Sequence, residues 1–228
     1  MADLGIDDRP PLSPAERRAT VRQLMEARSS VYHAAASETP DMRASRPTRG
    51  SHAPGTHWFY NNWDFNALGT IYENETGLSV GAGFEKLIAE PLGMSDFSAE
   101  DVRYQIEEEH SRHAAYKFRI SARDLARFGQ LYLADGRWEG RRLLPPGWVR
   151  ESTALRSPAG QRGTKSGYGM MWWVTADGPH GLPVGSFTAS GTGGQRLTII
   201  PDSKTVVVHL MNTDEPGPRI GTSTWNEL

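Results

Sequence analysis

Cysteine is absent from the 228-residue sequence, which excludes disulfides, thiolate metal ligands and thiol catalysis. No apolar run approaches the roughly 20 residues that a membrane-spanning helix needs, so we expect no membrane partner. The chain also lacks a large excess of either charge, because 25 basic and 27 acidic residues leave a net charge of −2. This balance gives no electrostatic reason to expect a nucleic acid partner. Residues 1–18 contain no signal-peptide pattern, so the chain as written is expected in the cytoplasm.

Helix signals are present in the first third of the chain. Ser13, Pro14 and Glu16 form a capping box with proline at the first helical position, which predicts a helix from Ser13. Apolar residues then recur at helical spacing from Asn62 to Gly77, and Gly77 stands where a C-cap glycine belongs. The pattern predicts a second helix between these two residues.

Loop and helix signals alternate elsewhere. Residues 37–57 hold three prolines and two glycines without an apolar period, which predicts a long surface loop. Residues 80–94 predict a short helix that Pro91 ends. Ser121 is the expected cap of a further helix that stops at Gly136.

The last third of the chain has strand signals instead. Residues 196–211, RLTIIPDSKTVVVHLM, contain two β-branched runs joined by Pro-Asp-Ser-Lys, a pattern typical of a β-hairpin. Helices in the middle and strands at the end favour an α+β fold, in which helices pack on an antiparallel sheet.

Two short motifs carry candidate chemistry. Tyr60-Asn61-Asn62 is a Tyr-x-Asn motif just before the helix that is predicted from Asn62, and the glycine-rich turn ASGTGGQ occupies residues 189–195. Taken alone, an asparagine at a helix start is most often a cap. Each motif is therefore a weak signal by itself.

With four further segments, NALGTIYENETG, AEPLGMSDF, SARDLARFGQLYL and SGYGMMWWV, these motifs resemble the serine β-lactamase-like hydrolases. That family includes class C β-lactamases, penicillin-binding carboxypeptidases and family VIII esterases. The resemblance extends from about residue 13 to about residue 212. It implies a β-lactamase/transpeptidase-like fold in one domain over 1–228, with a mostly helical lobe over about 13–165 and a sheet lobe over about 166–212. The resemblance also implies an active site between the lobes.

Three motifs build the active site in this family: Ser-x-x-Lys, Tyr-x-Asn or Ser-x-Asn, and Lys-Thr-Gly or a variant. Tyr60 and Asn62 match the second motif, so the resemblance implies that both are catalytic. A phenol beside a cation can share a proton near neutral pH, and an amide can orient a substrate carbonyl or the lysine.

The third motif falls on residues 189–191, with Thr192 next. The resemblance implies that Ser190, Gly191 and Thr192 bind the substrate, since a strand-edge amide there would donate to a developing oxyanion. Ala189 replaces the family's lysine, which argues against recognition of a β-lactam carboxylate and favours small esters or amides.

Two adjacent tryptophans complete the candidate site. Neighbours on a strand point to opposite faces, so one of Trp172 and Trp173 is expected in the core and the other as a wall of the cleft. The sequence leaves open which of them has which role.

The first motif, Ser-x-x-Lys, is missing, because no serine or threonine has a lysine three residues further on. In the family this motif precedes the segment that matches the predicted Ser13 helix, so the fold is expected to lack the N-terminal nucleophile helix. Without the serine and lysine, the family's acyl-enzyme cannot form. Two hypotheses follow. The chain is a serine hydrolase whose nucleophile lies elsewhere and which is inactive alone, or it is a non-catalytic binding or assembly protein.

The same gap implies partners. Removal of a central helix and of early strands would expose apolar surface and a strand edge. We therefore expect a homo-oligomer, or a complementing N-terminal segment, in addition to a small ester or amide ligand.

Other functions are weaker alternatives. Glu107, His110 and His113 are a possible metal set, but a run of glutamates is more often a solvated face. The turn GTGGQ lacks the helix and the lysine of a phosphate-binding loop. We expect neither a metal nor a cofactor.

Overall fold

The computed structural model describes residues 1–158, 166–176 and 182–215. The chain divides into two compact units. The first unit comprises Met1–Leu87 and Ser98–Arg119, and the second comprises Ile88–Phe97 and the chain from Ile120 onward.

The first unit is mostly helical and carries one antiparallel hairpin, in which Val102 lies opposite Phe118. Its helices and strands are α1 (Val21–Met25), α2 (Pro40–Ser45), α3 (Asn62–Thr76), α4 (Val80–Phe84), β1 (Val102–Gln105) and β2 (Ala115–Phe118). Short 3₁₀ turns lie at Ala2–Leu4, Glu16–Arg18 and Ala99–Asp101.

Helix α3 is the centre of the first unit. Asn61 caps it by accepting a hydrogen bond from the Asp64 amide at 2.9 Å, and Gly77 ends it in the left-handed conformation. The predicted helix is thus confirmed at both ends. The buried face of α3 packs in a core with residues from the first 35 positions. The members of this core are Met1, Ile6, Leu12, Ala19, Leu24, Val31, Ala35, Trp63, Ala67 and Ile71.

A buried carboxylate, Asp8, links α3 to two other segments. It accepts hydrogen bonds from Trp63 Nε1 (2.6 Å), Ser111 Oγ (2.8 Å) and the Arg112 amide (2.9 Å). Burial opposes the ionisation of Asp8, but the adjacent His33 ring and hydrogen bonds from Arg112 and Trp63 outweigh it and keep the pKa below its usual range. A buried carboxylate with several donors remains charged, so a single anion holds these segments together.

Antiparallel strands dominate the second unit. Its elements are α5 (Glu90–Leu92), α6 (Ala122–Leu133), α7 (Trp148–Ser152), β3 (Arg137–Trp138), β4 (Arg141–Arg142), β5 (Ser166–Tyr168), β6 (Trp173–Thr175), β7 (Phe187–Gly191), β8 (Gln195–Ile200) and β9 (Thr205–His209). Strands β5 to β9 form one antiparallel sheet in chain order. The β8–β9 pair confirms the predicted hairpin, and the mixture of helices and antiparallel sheet confirms the α+β class.

Helix α6 covers β8 and β9. A close approach makes this possible at Gly129, where a Cβ atom would lie 2.5 Å from Val206 Cγ1 and 2.8 Å from Leu197 Cδ1. The absent side chain lets the helix backbone approach the sheet. The core beneath consists of Tyr132, Trp172, Val174, Phe187, Leu197 and Ile199. Helices α6 and α7 therefore belong to the same unit as the sheet, and the lobe boundary expected near residue 165 stays a prediction.

Two helix boundaries differ from the sequence prediction. The helix expected from Ser13 is split into the 3₁₀ turn Glu16–Arg18 and α1. The cause is Thr20, which forms its own capping box with Gln23 and starts a new helix. The loop expected over 37–57 contains α2, which Thr39 caps.

Pro91 does not end the helix that was predicted over 80–94. A π-helical turn, Glu85–Ala89, shifts the register, and α5 starts anew at Glu90. Pro91 then occupies the first turn of α5, where its missing N–H costs no hydrogen bond. The segment ends instead at Gly93, with φ of 65°.

Candidate active site

The Tyr-x-Asn motif lies at the first turn of α3. Asn61, rather than Asn62, caps the helix, and its Nδ2 also donates to the Phe59 carbonyl at 2.8 Å. Asn62 is the first helical residue and is half-buried, and its Nδ2 donates to the Ser37 carbonyl at 2.7 Å. Tyr60 is also half-buried, with its ring centroid 5.0 Å from that of Phe65. Helix initiation therefore requires neither Tyr60 nor Asn62.

Asp64 is a fully buried carboxyl group one turn inside the helix. Ser29 Oγ donates to Asp64 Oδ1 and accepts from the Val31 amide at 3.0 Å. Oδ2 of Asp64 has no hydrogen-bond partner among the described residues. Burial raises the pKa of Asp64 to about 8, although the hydrogen bond from Ser29 opposes the shift. Asp64 is thus neutral at neutral pH and joins the turn at Ser29 to the helix that carries the motif.

The second candidate motif occupies the end of β7. Ser190 and Gly191 are the last residues of the strand, opposite Arg196 and Gln195 of β8. Together with Thr192, which begins the turn, they are exposed. The hydroxyl groups of two exposed residues, Ser190 and Thr192, therefore lie at this end of β7.

Three contacts hold the turn that follows this edge. Gly193 and Gly194 adopt φ of 86° and 93°, which glycine tolerates without strain. The Gly194 carbonyl lies 2.8 Å from Nδ1 of His209. The side chain of Gln195 exchanges two hydrogen bonds of 2.9 Å with the backbone of Met211. A Cβ atom at Gly193 would lie 2.5 Å from Thr213 Cγ2. These contacts hold the backbone of the turn against the end of β9 and the residues that follow it.

The two tryptophans have different environments. Trp172 is 5% exposed and packs with Tyr132 and Phe187 at centroid distances of 4.8 and 5.1 Å. Trp172 is therefore the core residue of the pair. Trp173 begins β6, is half-buried, and contacts Tyr168 at 5.1 Å. Trp173 is therefore the candidate for the expected wall of the cleft, and that role stays a prediction.

The metal set proposed from the sequence does not assemble. His113 is buried, and its Nδ1 lies 3.0 Å from Thr70 Oγ1. Glu107, Glu109 and His110 instead place ligand atoms within 4.8 Å of one another. Clusters of exposed acidic groups are common without a metal, so this group alone is no site.

Several contacts in the first unit have no signal in the sequence. Ser29 and Asp64 are far apart in the chain, and no motif pairs them. Ser37 adopts a left-handed φ of 64°, for which a serine gives no signal. His52 and His57 stack with ring centroids 4.0 Å apart, and this contact follows from turns within the supposed loop.

Comparison with known proteins assigns the family. The β-lactamase family model matches residues 9–226, and the chain therefore belongs to the β-lactamase family. The resemblance inferred from the motifs is thereby confirmed. Among the described residues, no helix combines the length and apolarity that crossing a membrane requires.

Individual relatives cover parts of the chain. The 6-aminohexanoate-dimer hydrolase of Paenarthrobacter ureafaciens is 32% identical over 106 residues, which are 43% of this chain and 26% of that protein. A candidate 6-aminohexanoate-dimer hydrolase from Bacillus anthracis has a similar structure, with a TM-score of 0.63 and 25% identity, over 88% of this chain and 57% of that one. A β-lactamase from Mycobacterium bovis gives a TM-score of 0.59 at 18% identity, over 86% and 65% of the two chains. These matches confirm the β-lactamase/transpeptidase-like fold. The chain spans little more than half of the Bacillus anthracis structure.

We predict that Asp64→Asn stabilises the protein more as the pH rises. The unfolded chain releases this proton near pH 3.8, whereas the folded protein retains it up to about pH 8. The stability contributed by the neutral carboxyl is therefore complete below pH 3.8 and is lost as the pH rises toward 8. Asparagine, an isostere of the neutral acid, avoids this loss. Thermal melts should show variant and wild type nearly equal at pH 4, and the variant about 10 °C higher at pH 8.

Asp124→Asn is the matched control. Asp124 is also fully buried, but its carboxylate accepts from Arg127 Nη1 at 3.0 Å and from the Asp96 amide at 2.9 Å. Loss of its charge should lower the melting temperature at neutral pH, because Arg127 loses its ion pair. Equal pH profiles for Asp64→Asn and the wild type would contradict the prediction.

Proposed function

We propose that the protein is a serine hydrolase of the β-lactamase family that cleaves small esters or amides, with a nucleophile that the printed sequence does not contain. The observation that carries this proposal is the Tyr-x-Asn motif at α3. Asn61 alone caps the helix, so Tyr60 and Asn62 are not explained by helix capping. The family match over residues 9–226 supports the same reading.

Each candidate residue has a chemical role in this proposal. The Tyr60 phenol exchanges a proton with the nucleophile or the leaving group, and the Asn62 amide orients the substrate carbonyl or the lysine. A backbone amide at the strand edge Ser190–Thr192 donates to the oxygen that becomes negative in the tetrahedral intermediate. Trp173 supplies apolar contact for the acyl chain.

A linear amide is the first substrate to test. Two of the similar proteins are named for hydrolysis of a 6-aminohexanoate dimer, a compound that contains an amide bond. Ala189 stands where the family has a lysine. No cation at this position is therefore available for a β-lactam carboxylate, whereas a neutral amide does not require one.

A second candidate function is a non-catalytic binding or assembly protein. The missing Ser-x-x-Lys motif favours it, because no acyl-enzyme forms without a nucleophile. The reading frame upstream of the Met1 codon separates the two. An in-frame Ser-x-x-Lys motif there favours the hydrolase, and an interrupted frame favours the binding protein.

The chain alone should form no covalent adduct with a fluorophosphonate probe and should not hydrolyse p-nitrophenyl butyrate measurably. The reason is the missing serine–lysine pair. Intact-mass spectrometry detects labelling directly, with a family VIII esterase as the positive control. A stoichiometric adduct on any serine of this chain would overturn the prediction.

Tyr60→Phe should weaken binding of the 6-aminohexanoate dimer about three- to tenfold, since a single neutral hydrogen bond is worth roughly 1 kcal/mol. The melting temperature should remain within about 2 °C. Titration calorimetry measures the affinity, and scanning calorimetry measures the melt.

Tyr72→Phe provides the control on the same helix. The hydroxyl group of Tyr72 is buried without a partner among the described residues, so its removal should leave ligand affinity unchanged. If Tyr60→Phe lowers the melting temperature by several degrees and leaves affinity intact, Tyr60 is a structural residue.

We further propose that the chain forms a homo-oligomer or pairs with a complementing segment. Strand β9, the last strand of the sheet over the described residues, carries three consecutive valines and no Lys, Arg, Asp or Glu, and such an edge readily accepts another strand. In the first unit, Ile106 is 68% exposed. One structure with the same fold is an octameric penicillin-binding protein homologue from Pyrococcus abyssi.

Light scattering at micromolar concentration should therefore give a mass of at least twice 25.2 kDa. A twofold pair is the expected form, because closed twofold assemblies are the commonest among soluble oligomers. A Val207→Lys change on β9 should shift the mass toward the monomer. A monodisperse wild-type monomer with a cooperative melt would contradict the prediction of self-association.

A further inference from the structure

The Asn62 side chain is held by the backbone of a distant segment. Its Nδ2 donates to the Ser37 carbonyl at 2.7 Å, and one turn further along α3 Asn66 Nδ2 donates to the Ala36 carbonyl at 3.2 Å. The Ser37 contact uses one of the two Nδ2 hydrogens and fixes the plane of the Asn62 amide. The second hydrogen and the Oδ1 atom have no hydrogen-bond partner in the described part of the chain and remain for a ligand. The orientation of Asn62 therefore depends on the position of the Ser37 carbonyl.

Ser37 itself is in an unfavourable backbone conformation. Its φ of 64° is left-handed, a conformation that is unfavourable for a residue with a Cβ atom. Such a conformation persists only where surrounding contacts determine it. The Asn62 contact is one of them, but it acts on the carbonyl alone.

Glu107 supplies the contact on the other side of Ser37. Its Oε1 accepts the Ser37 amide hydrogen at 3.2 Å and also accepts from Gln105 Nε2. Its Oε2 lies 2.7 Å from His110 Nδ1. Hydrogen bonds from His110, Gln105 and Ser37 lower the pKa of Glu107, so the acceptor is a charged carboxylate.

An ionised acceptor makes a stronger hydrogen bond than a neutral one. The side chain of Glu107 is 23% exposed and is fixed at both oxygens. It can therefore hold the Ser37 amide in one direction. Because the carbonyl of a residue moves with its own φ and ψ, control of the Ser37 backbone is also control of the Asn62 hydrogen bond.

We propose that Glu107 is a positioning residue for Asn62, acting through the backbone of Ser37. The carboxylate holds the Ser37 amide, the left-handed turn directs the Ser37 carbonyl toward α3, and this carbonyl sets the plane of the Asn62 amide. The inference rests on the proposed function in one respect, that the Asn62 amide contacts the substrate. The hydrogen-bond chain itself is independent of that role.

The first test observes the Asn62 amide directly. The two side-chain N–H signals of Asn62 are assigned in a ¹⁵N-labelled sample by their loss in Asn62→Asp. In the wild type, one of these hydrogens should exchange with water about tenfold more slowly than the other, since only one is bonded to Ser37. Equal and fast exchange of both hydrogens in the wild type would overturn the proposal without any further variant.

Three variants then test the role of Glu107. Glu107→Ala should shift both Asn62 signals and remove most of the difference in exchange. Glu107→Gln should restore it, because the glutamine oxygen can still accept from Ser37 while its Nε2 faces His110. Glu109→Ala is the matched control, since Glu109 lies in the same cluster but is exposed and makes no hydrogen bond among the described residues. If Glu107→Ala leaves the Asn62 signals as Glu109→Ala does, the proposal is wrong.

Ligand affinity separates the two levels of inference. With the 6-aminohexanoate dimer as probe, Glu107→Ala should weaken binding about three- to tenfold and Glu107→Gln less than twofold, at equal melting temperatures. If Asn62 responds to Glu107→Ala but even the wild type does not bind the probe, the positioning chain stands and the proposed substrate role of Asn62 fails. If the wild type binds and Asn62 does not respond, the positioning role fails and the proposed function stands.

Discussion

The organisation of the first unit depends on how α3 begins. The hydrogen bond from the Asp64 amide to the Asn61 side chain fixes the first turn, and Ser29 fastens the same turn through the Asp64 carboxyl group. The backbone amide of Asp64 thus stabilises the helix start, and its side chain stabilises the tertiary structure. Because Asp64 is fully buried, its pKa is raised and it is neutral in the folded protein. The candidate site therefore lies beside a buried acid rather than an ion pair.

The first unit therefore treats its buried carboxyl groups in two ways. Asp8 has four hydrogen-bond donors and remains ionised, whereas one oxygen of Asp64 has no partner among the described residues and the group retains its proton. The Asp8 carboxylate binds α3 through Trp63, and the Asp64 carboxyl group joins the first turn of α3 to Ser29. The difference follows from the count of donors, since burial penalises the charge of both groups. The entry of the chain into α3 is consequently fixed from two sides.

Local signals predicted the parts of the fold that depend on local chemistry. The cap at residues 61–62, the glycine that ends α3 and the β8–β9 hairpin all follow from side-chain types within a few positions. Thr20 and Gln23 also have the residue types of a capping box. The capping box at Ser13 predicted a single helix start, so the second start at Thr20 was not predicted. Pro91 was wrongly expected to end the helix, because its place in the first turn of α5 depends on the preceding π turn, which no local sequence pattern predicts.

The candidate site was predictable only in its motif residues. Tyr60, Asn62 and Ser190 could be named because family motifs conserve residue types at fixed spacing. Ser37 could not, because its contribution is a backbone carbonyl in a left-handed turn, and any residue type can offer a carbonyl. Distant contacts such as Ser37 with Glu107 depend on the tertiary structure alone.

The end of β7 shows how a changed residue alters the chemistry that a fixed backbone can support. The turn after Gly191 is held by His209, Met211 and Thr213, so the position of the strand-edge amides does not depend on the side chain at 189. If Ala189 corresponds to the family's lysine, as the resemblance implies, the replacement removes a charge but none of these three contacts. In the proposed site, a carboxylate ligand would lack a cation at this strand end, whereas a neutral carbonyl would rely on hydrogen bonds from the backbone. The proposed preference for neutral esters and amides rests on this argument.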